Sequence, residues 1–131
     1  MIVVDTNVIA YLLLPCEVSS RADALWAKDP EWAVPVFWRS EFRNVLAGYL
    51  RREALTFDDV VNIQDEAEAL VAGNEYEVAS RRVLELVRDS RCTAYDCEFV
   101  ALAMQLGVRL VTMDTKILRS FPKLAVALPV R

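Results

Sequence analysis

The sequence predicts an α/β fold in three layers, α/β/α, around a central, mainly parallel sheet of about five short strands. Short unbroken apolar runs, such as Ile2–Val4 and Val108–Thr112, alternate with segments of helical periodicity, as strands buried on both faces do. No two-residue hairpin signal joins any pair of these runs, so their connections read as helical crossovers. Of the 131 residues 55% are apolar, and the mean hydropathy is +0.24, which fits a sheet covered on both sides. The length suits one domain, taken as 1–131, able to bury a core without disulfide staples.

The elements follow in order. Ile2–Val4 is a strand that runs into Asp5, and a helix continues from there to about Leu13, stopped by Pro15. Val18 to Lys28 reads as a second helix, with Ser19 or Ser20 as cap and Asp29-Pro30 as its end. Trp32–Val36 is a second strand whose end Pro35 marks. A third helix spans about Trp38 to Arg51, its apolar stripe made by Trp38, Phe42, Val45, Leu46, Tyr49 and Leu50. Thr56-Phe57-Asp58-Asp59 has capping-box spacing and opens a helix to about Ala72, ended by Gly73-Asn74. Tyr76–Ala79 is a brief strand, and Ser80 caps a helix through Arg88. Thr93-Ala94-Tyr95-Asp96 opens another, which Gly107 terminates. Val108–Thr112 is a strand, Thr115–Ser120 a helical turn, and Leu124–Leu128 a last strand.

Composition removes most catalytic classes. The chain has no histidine, which excludes the Ser-His-Asp triad, histidine-dependent ribonuclease chemistry and histidine zinc sites. Cys16, Cys92 and Cys97 show no CxxC spacing and read as free thiols in a reducing, cytoplasmic setting. With glycine only at 48, 73 and 107 there is no phosphate-cradling loop. No apolar run is long enough to cross a bilayer, so no membrane partner is expected. Carboxylates remain. The net charge of −4 argues at first against a nucleic-acid partner. Yet residues 53–80 hold eight acids and no Lys or Arg, which leaves eleven acids against fifteen bases in the rest of the chain. The acidic stretch is either a solvated hairpin or a docking surface for a basic partner.

Singly, Asp5 and Asp114 sit where helix caps would, Asp96 closes a T-x-x-D box with Thr93, and Glu41 flanks an apolar stripe. Their joint placement points elsewhere. In right-handed β-α-β units the helix N-termini gather at the carboxyl edge of the sheet. Asp5 follows the first strand, Glu41 lies in the first turn after the second, Asp114 ends the strand at Val108–Thr112, and Asp96 opens the helix feeding that strand. Four carboxylates thus converge where α/β sheets place their ligands. Uncompensated, they would repel one another and raise each other's pKa values. A divalent cation removes that penalty, and an all-oxygen donor set suits Mg²⁺, with Mn²⁺ as substitute. Such an ion suits phosphodiester hydrolysis by an activated water. Arg39, Arg43, Arg81, Arg82 and Lys116 are expected at the same edge as contacts for the flanking phosphates of a polynucleotide.

The opening MIVVDTNVIAYLL, the SEFRNVL around Glu41, and TAYDCEFVALAMQLGVRLVTMD together resemble the PIN-domain family, most closely the toxins of VapBC toxin–antitoxin systems. DTN alone is a weak signal; D-T-N, a mid-chain Glu, Y-D followed by an apolar helix, and L-V-T-x-D in this order are a strong one. The resemblance spans the whole length and implies a PIN-like fold, endoribonuclease activity, a homodimer and a small inhibitory antitoxin. It matches Asp5, Glu41, Asp96 and Asp114 to the family's acidic quartet. Asp5 and Asp96 are the ligands most regularly assigned, Asp114 completes the metal set, and Glu41 acts through a water. Asn7 and Thr112 match supporting polar positions, Thr112 bonding near Asp5. Thr115 stands where some relatives offer a further acid, which leaves a second metal open.

Two other classes compete. A catalytically silent PIN-like binding module would be expected to have lost some of the four acids. A phosphatase of the haloacid-dehalogenase type wants D-x-D where this chain has D-T-N, and a receiver domain wants a lysine where Pro129-Val130-Arg131 stands.

Overall fold

The computed structural model describes residues 1–129; Val130 and Arg131, and with them the end of the expected domain, lie outside the described residues. Within these bounds the chain runs β1 (Ile2–Val4), α1 (Thr6–Leu13), α2 (Ser19–Lys28), β2 (Trp32–Pro35), α3 (Trp38–Arg51), α4 (Phe57–Leu70), β3 (Glu75–Tyr76), α5 (Ser80–Arg88), α6 (Ala94–Leu106), β4 (Leu110–Val111), α7 (Thr115–Ser120) and β5 (Ala125–Val126). The strands form one sheet in the order β3-β2-β1-β4-β5, parallel throughout.

This order is a doubly wound one. From β1 the chain moves outward through β2 to β3, then crosses back to β4 and β5. Right-handed crossovers therefore put α1–α4 on one face of the sheet and α5–α7 on the other. Packing agrees: α1 lies on α2, α3 and α4, while α6 lies along β1, β2 and β4. Burial of both faces explains why Val3, Val4, Trp32, Ala33, Val34 and Leu110 are all solvent-free. The strand order reverses between β1 and β4, and the crevice at their carboxyl ends is where this architecture binds ligands.

Local chemistry sets most boundaries. Thr56 closes its box: Oγ1 accepts the Asp59 N–H at 3.1 Å and Asp59 Oδ2 accepts the Thr56 N–H at 3.1 Å, worth about 1 kcal/mol. Gly107 ends α6 in the left-handed region, φ 66°, which a side-chain-bearing residue adopts only under strain. Cys92 and Cys97 are buried free thiols, and Cys16 is an exposed one.

Several expected boundaries shift. Ser19 does not cap α2; its hydroxyl accepts the Cys16 N–H (2.9 Å) and faces the Leu14 carbonyl (3.3 Å), fastening the preceding loop. Ser80 is the first residue of α5, and Ala79 holds the cap position without a side-chain bond. The strand expected at Tyr76–Ala79 lies at Glu75–Tyr76, because its ladder to β2 pairs Val34 with Glu75 and Pro35 with Tyr76 and ends where β2 ends. The last two strands shorten to two residues each, although backbone bonds continue to Thr112, whose N–H reaches the Val126 carbonyl at 3.0 Å.

Part of the acidic stretch is used internally. Arg39 on α3 donates through Nε and Nη2 to the two oxygens of Glu75 (2.7 Å each) and through Nη1 to Glu68 (2.8 Å). Trp38 Nε1 adds a bond to Glu75 Oε1 (2.7 Å). Together these tie α3, α4 and β3.

Candidate active site

Asp5 is the residue at which β1 becomes α1. It occupies the N-cap position yet makes no side-chain cap bond; instead its Oδ2 accepts the Thr112 hydroxyl at 2.8 Å. Thr112 is fully buried, and its hydroxyl oxygen in turn accepts the Asp114 N–H at 3.0 Å. One hydroxyl therefore joins the ends of β1 and β4 across the strand-order reversal. Asp114, in contrast, does cap: its Oδ1 takes the N–H groups of Lys116 (2.8 Å) and Ile117 (3.1 Å) at the start of α7.

Glu41 comes from the first turn of α3, and its Oε1 accepts the hydroxyl of buried Thr6 at 2.7 Å. Asp96 stands in the first turn of α6, where Thr93 Oγ1 accepts its N–H at 3.1 Å. The four carboxylates line one cleft of about 230 Å³ with Thr6, Asn7, Asn44 and Val45. Thr6 and Asn44 were not singled out by sequence, nor was Glu98, whose charge acts on Glu41. For Thr6 the available signal was a hydroxyl directly beside the first acid.

The electrostatics is that of crowded, half-desolvated anions. Burial pushes Asp5 above the ordinary carboxylate range; the Thr112 bond draws it down, and Asp96 and Asp114 push it up further. Glu41 is raised by burial, lowered by Thr6, and raised again by Asp5, Asp96 and Glu98. Asp96 is raised by burial and by Asp114, against the bond to Thr93 and the charge of Lys116.

The sequence profile described as "PIN domain" matches residues 2–124. The chain belongs to the PIN-domain family. Ribonuclease VapC3 of Pyrobaculum aerophilum is 31% identical over 127 residues, 94% of this chain and 96% of that protein. Among solved structures, FitAcB from Neisseria gonorrhoeae is similar at a TM-score of 0.75 and 18% identity, over 98% of this chain and 97% of that one. A toxin–antitoxin complex from Klebsiella pneumoniae gives 0.69 at 18% identity, over 96% of each chain. At such identities these structures establish the shared PIN fold.

Basic residues are sparser around the acids of this PIN domain than the sequence suggested. Lys116 is beside the cleft, close enough to lower Asp96. Arg39 is occupied by Glu68 and Glu75. Arg43 lines a separate, largely apolar groove of about 290 Å³ between α3 and α4, with Leu46, Leu50 and Val60. Arg81 and Arg82 lie near Glu85, and Arg82 borders Ala101, Met104 and Gln105, about two turns along α6 from Asp96. The reason is topological: α5 and α6 form a helical hairpin, so the start of α5 meets the far end of α6.

Whether these residues suit a metal follows from the donors themselves. Among the described residues, no three His, Cys, Asp or Glu side chains are placed so that they could hold a metal ion together. The cleft instead offers carboxylates from four separate elements, with mutual repulsion left uncompensated. Mg²⁺ keeps several waters and takes one or two carboxylates plus substrate phosphates, so an incomplete protein cage of oxygens fits it. A site for a soft or fully protein-coordinated metal would need ligands this PIN domain lacks there.

Proposed function

We propose that this PIN domain, taken as the single domain of the chain, is a Mg²⁺-dependent endoribonuclease selective for single-stranded RNA. In this reading it is the toxin of a VapBC-type toxin–antitoxin pair. The observation that carries the reading is the convergence of Asp5, Glu41, Asp96 and Asp114 on one cleft at the carboxyl edge, with Asp5, Glu41 and Asp96 raised in pKa. The 31% identity to a ribonuclease along nearly the full chain supports it.

Asp5 and Asp96 would hold the metal directly, and Glu41 and Asp114 would complete the site through waters or a second ion, with Mn²⁺ as substitute. Bound there, the ion supplies Lewis acidity toward the phosphoryl oxygen and a water of lowered pKa. The chain's own residues do the rest. Thr112 fixes one oxygen of Asp5 and so aims the other. Thr6 occupies Oε1 of Glu41, leaving Oε2 to accept a hydrogen bond from the attacking water. A carboxylate whose pKa is raised is the better proton acceptor. The water oxygen bonds to phosphorus as the bond to the leaving ribose oxygen breaks, the water's proton passing to Glu41 and the departing oxygen taking one from solvent; Asn7 orients a carboxylate or water at the rim. Lys116 provides a positive charge for a flanking phosphate.

The similarity to a toxin–antitoxin complex supports a small cognate antitoxin; in this reading the toxin works as a homodimer in the cytoplasm. Among the described residues no helix is long and apolar enough to cross a membrane. The decisive experiment is RNA cleavage by purified protein in Mg²⁺ or Mn²⁺, compared with EDTA and with Asp5→Asn. Cleavage that persists at wild-type rate in Asp5→Asn would overturn the assignment and favour contamination or another site.

A further inference from the structure

Tyr95 is 63% exposed, the second most open of the large apolar and aromatic side chains among the described residues. It is not loose. Its ring lies tilted against Phe37, centroids 5.7 Å apart, and Phe37 in turn meets buried Phe99 edge-on at 5.5 Å. This pile seats one side of the Tyr95 ring on the core and leaves the rest to solvent, forgoing the free energy that burying the ring would give.

The position of the pile matters more than its exposure. Phe37 holds the N-cap position of α3, and its carbonyl accepts the N–H of Ser40 at 2.9 Å and of Glu41 at 3.4 Å. Tyr95 directly precedes Asp96 in the first turn of α6. The Phe37–Tyr95 contact therefore bridges the starts of the two helices that deliver Glu41 and Asp96 to the cleft. The exposed ring lies at the junction of these two helix starts, one residue from a cleft acid though not itself in the cleft lining, within the span that the nucleotides flanking a bound phosphodiester would cover.

We propose that the open face of Tyr95 is a stacking platform for one unpaired nucleobase flanking the phosphodiester to be cut. The inference rests on the ribonuclease reading above and adds to it how substrate is gripped. Single-stranded RNA is held by its bases on aromatic rings as well as by its phosphates. A cleft so poor in bases, with Lys116 as its near cation, has most need of such a grip. Stacking also selects unpaired RNA, because a base inside a duplex already stacks on its neighbours. A protein partner would use the ring differently, with no dependence on the base of the RNA.

The test measures steady-state cleavage of a short single-stranded RNA by wild type, Tyr95→Ala and Tyr95→Phe, repeated with one abasic nucleotide walked along the substrate. Tyr95→Ala is expected to raise KM about tenfold with kcat within about twofold, and Tyr95→Phe to recover the wild-type KM. At one position next to the cut, the abasic nucleotide should raise KM about tenfold for wild type and add nothing for Tyr95→Ala, the signature of a lost pairwise contact. A merely structural role would leave the abasic penalty intact in Tyr95→Ala, and that result overturns the platform. An unchanged KM in Tyr95→Ala, with wild type active, also overturns it and leaves the ring as a protein-contact surface. If wild type cleaves no RNA in either metal, the ribonuclease reading itself falls and the platform with it.

Discussion

The Thr112 hydroxyl donates to Asp5 Oδ2 at 2.8 Å and accepts the Asp114 N–H at 3.0 Å, so one buried atom sets the spacing of two acids 109 residues apart in sequence. Thr112→Val keeps the shape and removes both bonds. A half-buried carboxylate then loses its donor and a backbone N–H its acceptor, for a cost of about 2 kcal/mol. The loss also removes a bond that draws the Asp5 pKa down, so that pKa rises further. Urea denaturation should show the destabilisation, and the acid limb of the cleavage profile should move to higher pH. Thr112→Ser, which keeps the hydroxyl, should do neither.

Asp5→Asn removes a charge from the cluster while its amide oxygen still accepts Thr112. Cleavage should be lost. The metal-free protein should meanwhile gain about 1 kcal/mol, roughly 3–5 °C in melting temperature, because functional sites carry strain that inactivation relieves. Calorimetry should show Mn²⁺ binding to wild type and none to the variant. A variant that melts below wild type in EDTA would contradict the picture of uncompensated repulsion.

Much of this was legible in the residues, and for physical reasons. Apolar runs announced strands buried on two faces, and crossover handedness alone brought Asp5, Glu41, Asp96 and Asp114 to one edge. Of the side-chain commitments, the bond from Thr112 to Asp5 was legible through the family resemblance, and others were not. Arg39 follows Trp38 beside the expected site, but nothing local reveals that Glu68 and Glu75, 29 and 36 residues away, would occupy it. Arg81 and Arg82 were misplaced because Ser80 was read as entering a crossover helix at the carboxyl edge. The hairpin of α5 and α6 sends that end the other way, and only tertiary packing decides between them. Thr6 was passed over because a Thr at a helix start is ordinarily local, whereas here it reaches Glu41.

Two of the basic candidates should separate by experiment. Lys116 is exposed beside Asp96, so Lys116→Ala should raise KM for RNA and reduce the slope of log affinity against log salt by about one. Arg39 is already engaged by two carboxylates, so Arg39→Met should leave that slope unchanged and lower the melting temperature by loosening α3 from α4 and β3. Equal salt slopes for the two variants would show that Arg39 also reaches RNA.

The pH dependence of stability carries two opposing signs. Asp5, Glu41 and Asp96 have folded pKa values above their unfolded ones, so the folded state binds protons more tightly. Their contribution is therefore present at low pH and lost as pH rises from the ordinary carboxylate range through the raised values. Glu75, lowered by the hydrogen bond from Arg39, contributes above that range and loses its contribution as pH falls through its lowered pKa. The difference between wild type and Asp5→Asn isolates the first set. In EDTA the melting-temperature advantage of Asp5→Asn should widen as pH rises from about 5 to about 7.5. Excess Mg²⁺ should close or reverse the gap, since a ligand bound only by folded wild type stabilises it by mass action. A gap independent of both pH and Mg²⁺ would mean that the carboxylates are not coupled to one another, and the cleft would lose its reason to recruit a cation.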